Sequence, residues 1–132
     1  MIYIIRIIIN MDNLTYSNTI PFIPPLKEGK VVKVYDGDTI TIGAIVFEVA
    51  YRFSVRLNGI DTPELRGPDK DKASLARDDL SNLVMNKIVR LENIGTEKYG
   101  RVLADVYLDQ LHVNQWMIER GHAKEYHGGK KL

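Results

Sequence analysis

In the stretch FSVRLNGIDTPELRG, residues 53–67, an arginine and two carboxylates fall within a few residues of one another: Arg56, Asp61 and Glu64. A carboxylate of this kind can hold a metal or take a proton, and a guanidinium can meet the charge of an anionic transition state. Two further short strings carry the same chemistry. DGDT, residues 36–39, adds Asp38, and KYGR, residues 98–101, adds Arg101. Each string alone has an ordinary reading. Asp-Gly makes hairpins, Asp-Thr-Pro starts loops in which Pro63 fixes φ, and KYGR suits a solvated turn. The combination is more specific. Asp38 and Asp61 are hard oxygen ligands at different strand ends with no His or Cys beside them, which points to calcium or magnesium and away from zinc. Arg56 and Arg101 offer planar forks that suit phosphate oxygens. Glu64 is a spare carboxylate next to the metal ligands. A metal, a base and two guanidiniums are the parts needed for in-line attack of water on a phosphodiester.

These groups need a frame to bring them together. A β-prone run at 31–35 leads into Asp36-Gly37, where a glycine tolerant of positive φ predicts a hairpin, and residues 39–42 alternate as a second strand. From Ile45 to Leu57 the odd positions Ile45, Phe47, Val49, Tyr51, Phe53, Val55 and Leu57 are apolar. That pattern predicts one long strand with those side chains buried and Arg56 on the opposite face. Ala73, Ala76, Leu80, Leu83 and Val84 recur at helical spacing and predict a helix over 71–86. Strands are predicted over 88–94 and 102–108, with a turn at Asp109-Gln110. A short helix over 113–120 follows, with Val113, Trp116 and Met117 on one side and Gly121 as its C-cap. Three strands, a helix, two strands and a short helix fit an α+β, mainly β fold: a five-stranded Greek-key barrel of the oligonucleotide-binding type with helices outside.

The chain's 132 residues suffice for one domain with a modest core, and its 45% hydrophobic and 27% charged residues are ordinary for a globular protein. A net charge of +1 excludes a global basic field but leaves room for a local basic site. The absence of cysteine removes disulfides and thiolate chemistry and leaves the compartment open. The opening MIYIIRIIIN is apolar, but it is about half as long as a membrane span and is interrupted by Arg6. Three readings stand: an arm packing on the domain, a degenerate signal, or translation starting at Met11. The arm and the later start are favoured. The segment to Pro25 reads as a polar, then Pro-rich linker, which gives an N-terminal extension over 1–28 and a domain over 29–132.

The blocks VVKVYDGDTITI, FSVRLNGIDTPE, KYGRVLADVYL and VNQWMIERGHAKEY together resemble the staphylococcal nuclease (thermonuclease) family, in the family's order and over 31–126. The resemblance implies the oligonucleotide-binding barrel and calcium-dependent hydrolysis of DNA and RNA, with cleavage of the P–O5′ bond leaving 3′-phosphates. It places Arg56, Glu64 and Arg101 at the family's catalytic positions. Asp38 and Asp61 fall on the calcium carboxylates, and Thr62 on a backbone-carbonyl ligand. Asp36 falls on a further aspartate beside the metal. Lys98 and Tyr99 fall where the family contacts a terminal phosphate, and Tyr126 lies one position from a nucleotide-pocket tyrosine. Two departures stand out: LRGPDKDK is shorter than the long basic loop of a well-known member, and no helix follows YHGGKK. A short form is expected, or an N-terminal extension covering the surface such a helix would cover.

Little sequence preference is expected, because none of these groups reads base edges, and single strands are favoured. The chain is expected to act as a monomer with no membrane span. The contrasting reading, a non-catalytic binding module, is disfavoured because all the charged site residues are present. His112, His122 and His127 lack metal-ligand spacing, Trp116 reads as packing, and GGKK as a frayed basic tail.

Overall fold

The computed structural model describes residues 10–127. The apolar run before Asn10, with the readings attached to it, and GGKK at 128–131 lie outside the described residues. Residues 10–25 are largely exposed and contain only a short 3-10 turn, Met11–Asn13. Leu26 is buried in the core just before the first strand.

The strands are β1 (Glu28–Asp36), β2 (Thr39–Val46), β3 (Val49–Leu57), β4 (Ile60–Asp61), β5 (Ile88–Thr96), β6 (Val102–Leu108), β7 (Leu111–His112) and β8 (Lys124–Glu125). The helices are α1 (Lys70–Val84) and α2 (Val113–Glu119). The main sheet runs β3-β2-β1-β5-β6-β7, and a parallel β3–β6 pairing closes it into a five-stranded barrel. This is the mainly β, α+β architecture of the oligonucleotide-binding type, with two helices packed on it. A small ribbon, β4 with β8, stands beside the barrel.

Alternation fills the interior. Val31, Ile40, Ile42, Val55, Leu57, Val89, Val106 and Ala104 point inward and are buried. Ala73, Ala76, Leu80 and Val84 give α1 a buried stripe at helical spacing. The end of α1 is tied to β1: the chain turns through Asn86 at φ 64, Asn86 N–H donates to the Val31 carbonyl and Val31 N–H to that of Lys87, each at 2.9 Å. Asparagine is among the residues that tolerate this backbone region. Gly121, at φ 77, ends α2 as expected, with its N–H donating to the Ile118 carbonyl.

One expectation fails. Residues 45–57 are not a single strand but the end of β2, a two-residue turn at Phe47-Glu48, and β3, with Val46 opposite Val49. Ile45, Phe47, Val49 and Tyr51 are exposed, and Ala44 and Val46 are buried instead. The turn changes the phase on β2, which puts Ile45 on the outer face. Val49 and Tyr51 lie opposite Val46 and Ala44 on the inward side of β3 and are exposed at the hairpin's far end. Phe47 and Glu48 both take positive φ, 51° and 68°. Such turns usually carry Asn and Gly, so nothing in the residue types announces this one.

Candidate active site

The first turn of the barrel delivers Asp38. Asp36 pairs with Thr39, so Gly37 and Asp38 form the two-residue loop. Gly37 serves close approach here and not positive φ: a Cβ at this position would lie 2.9 Å from the Ala76 Cβ and 3.0 Å from the Thr62 Cγ2. The turn is thereby pressed against α1 and against the DTPE segment. Asp38 is buried; its Oδ1 accepts from the Thr39 hydroxyl at 3.0 Å and its Oδ2 from the Thr62 N–H at 3.4 Å. Asp36 accepts from the Asp38 N–H at 3.1 Å. Burial, and then the neighbouring Asp38, push the Asp36 carboxyl up to about 7.

Arg56 comes from β3, opposite Thr39. Its Nη2 lies 3.6 Å from both Asp38 Oδ2 and Asp61 Oδ1, so one guanidinium bridges the two carboxylates. Asp61 is the last residue of β4, whose pairing with β8 also sets Tyr126: Ile60 faces Glu125, and the Tyr126 N–H donates to the Gly59 carbonyl at 2.8 Å. The Tyr126 ring then lies 5.5 Å from the Arg56 guanidinium carbon, within cation–π range.

Arg101, Lys98 and Tyr99 come from the loop joining β5 and β6. The Glu97 N–H donates to the Arg101 carbonyl at 2.9 Å, and Gly100 turns the chain at φ 87. The Arg101 guanidinium forks onto Glu97 through Nε and Nη2, and its Nη1 lies 3.4 Å from the Thr39 hydroxyl. Glu97 holds Arg101 still more firmly protonated than usual. Lys98 Nζ lies 5.7 Å from the centre of the exposed Tyr99 ring.

One open cavity of about 860 Å³ collects these groups. Asp36, Asp38, Arg56, Asp61, Thr62, Glu64, Lys98, Tyr99, Arg101 and Tyr126 all line it, so every site candidate from the sequence reaches the same space. Three residues were not anticipated. Glu97 lines the cavity and orients Arg101; its signal is the Glu-Arg spacing across the KYGR turn. His127, noted in the sequence only for lacking metal-ligand spacing, is exposed and also lines it. Asn114 is buried on α2; its side chain accepts from the Val106 N–H at 2.9 Å and donates to the Asn58 carbonyl at 2.8 Å. It thereby pins the β3–β4 turn that leads to Asp61. A polar residue at a core-facing helical position was its signal.

The donor set suits a hard divalent ion. Two carboxylates from different elements stand at equal distance from one guanidinium, that of Arg56, with the Thr62 hydroxyl beside them. Among the described residues no group of three or more His, Cys, Asp or Glu side chains could hold a metal. Asp38 and Asp61, the two carboxylates that meet across Arg56, are the side chains a hard ion would draw on here. The Thr62 hydroxyl is buried beside them with no hydrogen-bond partner among the described residues.

Comparison with known proteins agrees with this architecture. The model of the family described as staphylococcal nuclease homologue matches residues 54–131, more than half of the chain. The chain belongs to that family. It is similar to an "uncharacterized endonuclease" of Escherichia coli, 36% identical over 99 residues that make up 74% of this chain and 60% of that protein. A protein of the same description from Haemophilus influenzae is 37% identical over 97 residues, 74% of this chain and 51% of the other. The thermonuclease of Staphylococcus hyicus is 36% identical over 100 residues, 72% of this chain and 57% of the other. The chain thus spans about half to three-fifths of the length of these relatives. No helix among the described residues is long and apolar enough to cross a membrane.

Proposed function

We propose that the protein is a calcium-dependent nuclease that hydrolyses phosphodiester bonds of DNA and RNA with little sequence preference and leaves 3′-phosphate ends. The observation that carries this reading is the convergence of Asp38, Asp61, Glu64, Arg56 and Arg101, from separate elements, on one cavity. Family membership and the names of the relatives support it.

In this reading Asp38, Asp61 and the Thr62 carbonyl hold calcium, with water completing the shell. The ion, when bound, neutralises charge on a phosphate oxygen. Glu64 takes a proton from the attacking water as its oxygen bonds to phosphorus. The P–O5′ bond breaks in line, and the departing oxygen leaves as a 5′-hydroxyl after taking up a proton. Arg56 and Arg101 bind the equatorial oxygens, where charge builds in the five-coordinate state. With substrate present, each arginine exchanges part of its carboxylate contact for phosphate. Glu97 and Asp38 thus serve as resting partners that keep the forks aimed at the cavity. Lys98 and Tyr99 meet a terminal phosphate, Tyr126 borders the nucleotide, and Asp36 supports the Asp38 loop. Single strands are favoured because the exposed rings offer stacking and nothing here reads a groove. The chain works as a monomer, its domain spanning 29–132.

The test is incubation with single-stranded DNA in calcium, in magnesium and in chelator, beside Glu64→Gln. Calcium is expected to support cleavage better than magnesium, chelator to abolish it, and Glu64→Gln to lower turnover by roughly 100- to 10,000-fold with the fold intact. Strand binding without cleavage in calcium would instead make the chain a binding module.

A further inference from the structure

His122 lies outside the cavity, just after α2, and its ring is nearly buried, with 11% of the side chain exposed. Its Nε2 stands 2.8 Å from Asp79 Oδ2 on α1. The carboxylate accepts, so Nε2 carries the proton and donates. Arg120 adds an outer contact to the same carboxylate, with its Nη2 at 3.7 Å, and its guanidinium carbon lies 4.9 Å from the centre of the Trp116 ring. The two members of the His122–Asp79 pair sit on the supports of different site carboxylates. Asp79 lies three residues beyond Ala76, on the same side of α1. Ala76 is one of the residues against which the Gly37-Asp38 turn is pressed. His122 leads through the buried Ala123 into β8, where Lys124 faces Asp61. The N–H groups of His122 and Ala123 both donate to the Met117 carbonyl, at 3.0 and 3.2 Å, so the backbone entering β8 is fixed to α2. Among the described residues the β4–β8 ribbon consists of two facing pairs and the Tyr126 N–H bond to the Gly59 carbonyl. A ribbon that short does not hold its place unaided.

From this placement we propose that the His122–Asp79 hydrogen bond is a clamp that sets the gap between Asp38 and Asp61, and with it the fit of the site to its cation. Both are positioning residues, since neither lines the cavity. The inference rests on the nuclease reading and deepens it. The two carboxylates come from supports far apart in sequence: a hairpin turn seated on α1, and a short ribbon whose second strand follows α2. The apolar core packs both helices, but its attraction has no direction. A hydrogen bond does have one, and it fixes where the start of β8 sits along α1. Burial separates this contact from its neighbour. The Arg120 side chain is more than half exposed, so its contact with Asp79 is a surface ion pair of the kind that contributes little. Removing one member of the shielded pair leaves the other without its partner. Asp61, and the Tyr126 backbone beside it, are then free to move relative to Asp38.

The experiment measures calcium binding and amide hydrogen exchange on the full chain, without substrate. His122→Ala is expected to weaken calcium binding roughly 10-fold, the lower end of what outer partners of a metal site contribute. In the metal-free protein its Tyr126 amide should exchange faster, while the Val106 amide, held by Asn114 inside the barrel, keeps its protection. His122→Gln carries an amide N–H close to the place of Nε2 and should restore both readouts. Asp79→Leu should reproduce the loss, and Asp79→Asn, which keeps an acceptor, should not. Arg120→Ala should change neither readout. Calcium affinity unchanged in His122→Ala and Asp79→Leu would overturn the clamp, whatever the Tyr126 amide does. So would equal loss of protection at Tyr126 and Val106, or a His122→Gln variant no better than His122→Ala, because the ring would then only fill space. Should the unmodified protein bind no calcium, the metal part of the nuclease reading fails separately. The clamp is then decided by the Tyr126 and Val106 amides alone.

Discussion

The two turns that bound β2 are both two-residue hairpin loops, yet they differ in almost every physical respect. At one end Gly37-Asp38 is buried and pressed onto Ala76 and Thr62. At the other Phe47-Glu48 stands in solvent, with Phe47 76% exposed and both residues at positive φ. The first turn is over-determined: register, helix packing and hydrogen bonds from Thr39 and Thr62 all fix Asp38. The second is held by its own strand pairing alone. A site that needs a carboxylate placed within tenths of an ångström has to stand on a turn of the first kind. A turn of the second kind takes positive φ at both residues because a tight two-residue hairpin demands it, with the flanking Val46–Val49 pair holding its ends.

The sharpest break of this contrast lies in the two guanidiniums that reach the cavity beside Asp38, Arg56 held by it and Arg101 held by Glu97. On the nuclease reading, Arg56 and Arg101 gain interaction as charge develops in the transition state. Lysine keeps the charge and loses the fork. Arg56→Lys and Arg101→Lys should each lower turnover roughly 1,000-fold or more, by analogy with arginine fingers. Affinity for a nucleotide inhibitor should change far less. Single-turnover cleavage beside inhibitor titration measures both. If inhibitor affinity falls as far as the rate, the arginines only dock substrate. No substitution at Phe47 or Glu48 should approach that loss.

The next test is Gly37→Ala. The added methyl would meet the Ala76 Cβ at 2.9 Å and the Thr62 side chain at 3.0 Å, so either α1 or the DTPE segment must shift. Overpacking of this kind costs about 1–3 kcal/mol, read as a lower midpoint in urea. Turnover should fall as well, because Thr62 N–H is a partner of Asp38. Unchanged stability and turnover would mean that the turn is not wedged and that its precision comes from elsewhere.

The same contrast explains what the sequence made legible. The gathering of the candidate residues was legible because Asp38, Arg56, Asp61, Glu64 and Arg101 lie in short strings with characteristic spacing, and all five line the one cavity; β alternation put Arg56 on the face away from the core. Helix α1 was readable because its buried positions recur at 3.6-residue spacing over four turns. The Asp-Gly hairpin was placed correctly for a reason that does not operate: Gly37 is needed for room, a tertiary fact that no local pattern encodes. The Phe47-Glu48 turn was invisible because alternation continues across it, with an exposed apolar set in phase with the buried one that follows. Glu97 and Asn114 were missed for a related reason. Each acts through a partner set by the fold, Arg101 in one case and the backbone around Asn58, Ala104 and Val106 in the other.

The smallest effect is expected at the far turn, and it has the opposite sign. A left-handed conformation costs a residue with a Cβ about 1–2 kcal/mol relative to its preferred region, and Phe47 and Glu48 both bear it. Replacing them by Asn-Gly supplies the residues that such a turn favours. Glycine's larger freedom in the unfolded chain returns part of the gain. Lost packing is minor, because Phe47 is mostly in solvent. The double substitution should therefore raise stability by about 0.5–1 kcal/mol. It should leave turnover on a dinucleotide unchanged, since the turn lies at the opposite end of β2 from Asp38. Urea unfolding and a dinucleotide assay on the same preparation measure both. A loss of stability would show that the Phe47 ring holds something the described residues do not reveal. A change in turnover would mean that the two ends of β2 are mechanically coupled, and the contrast between a fixed end and a free end would not hold.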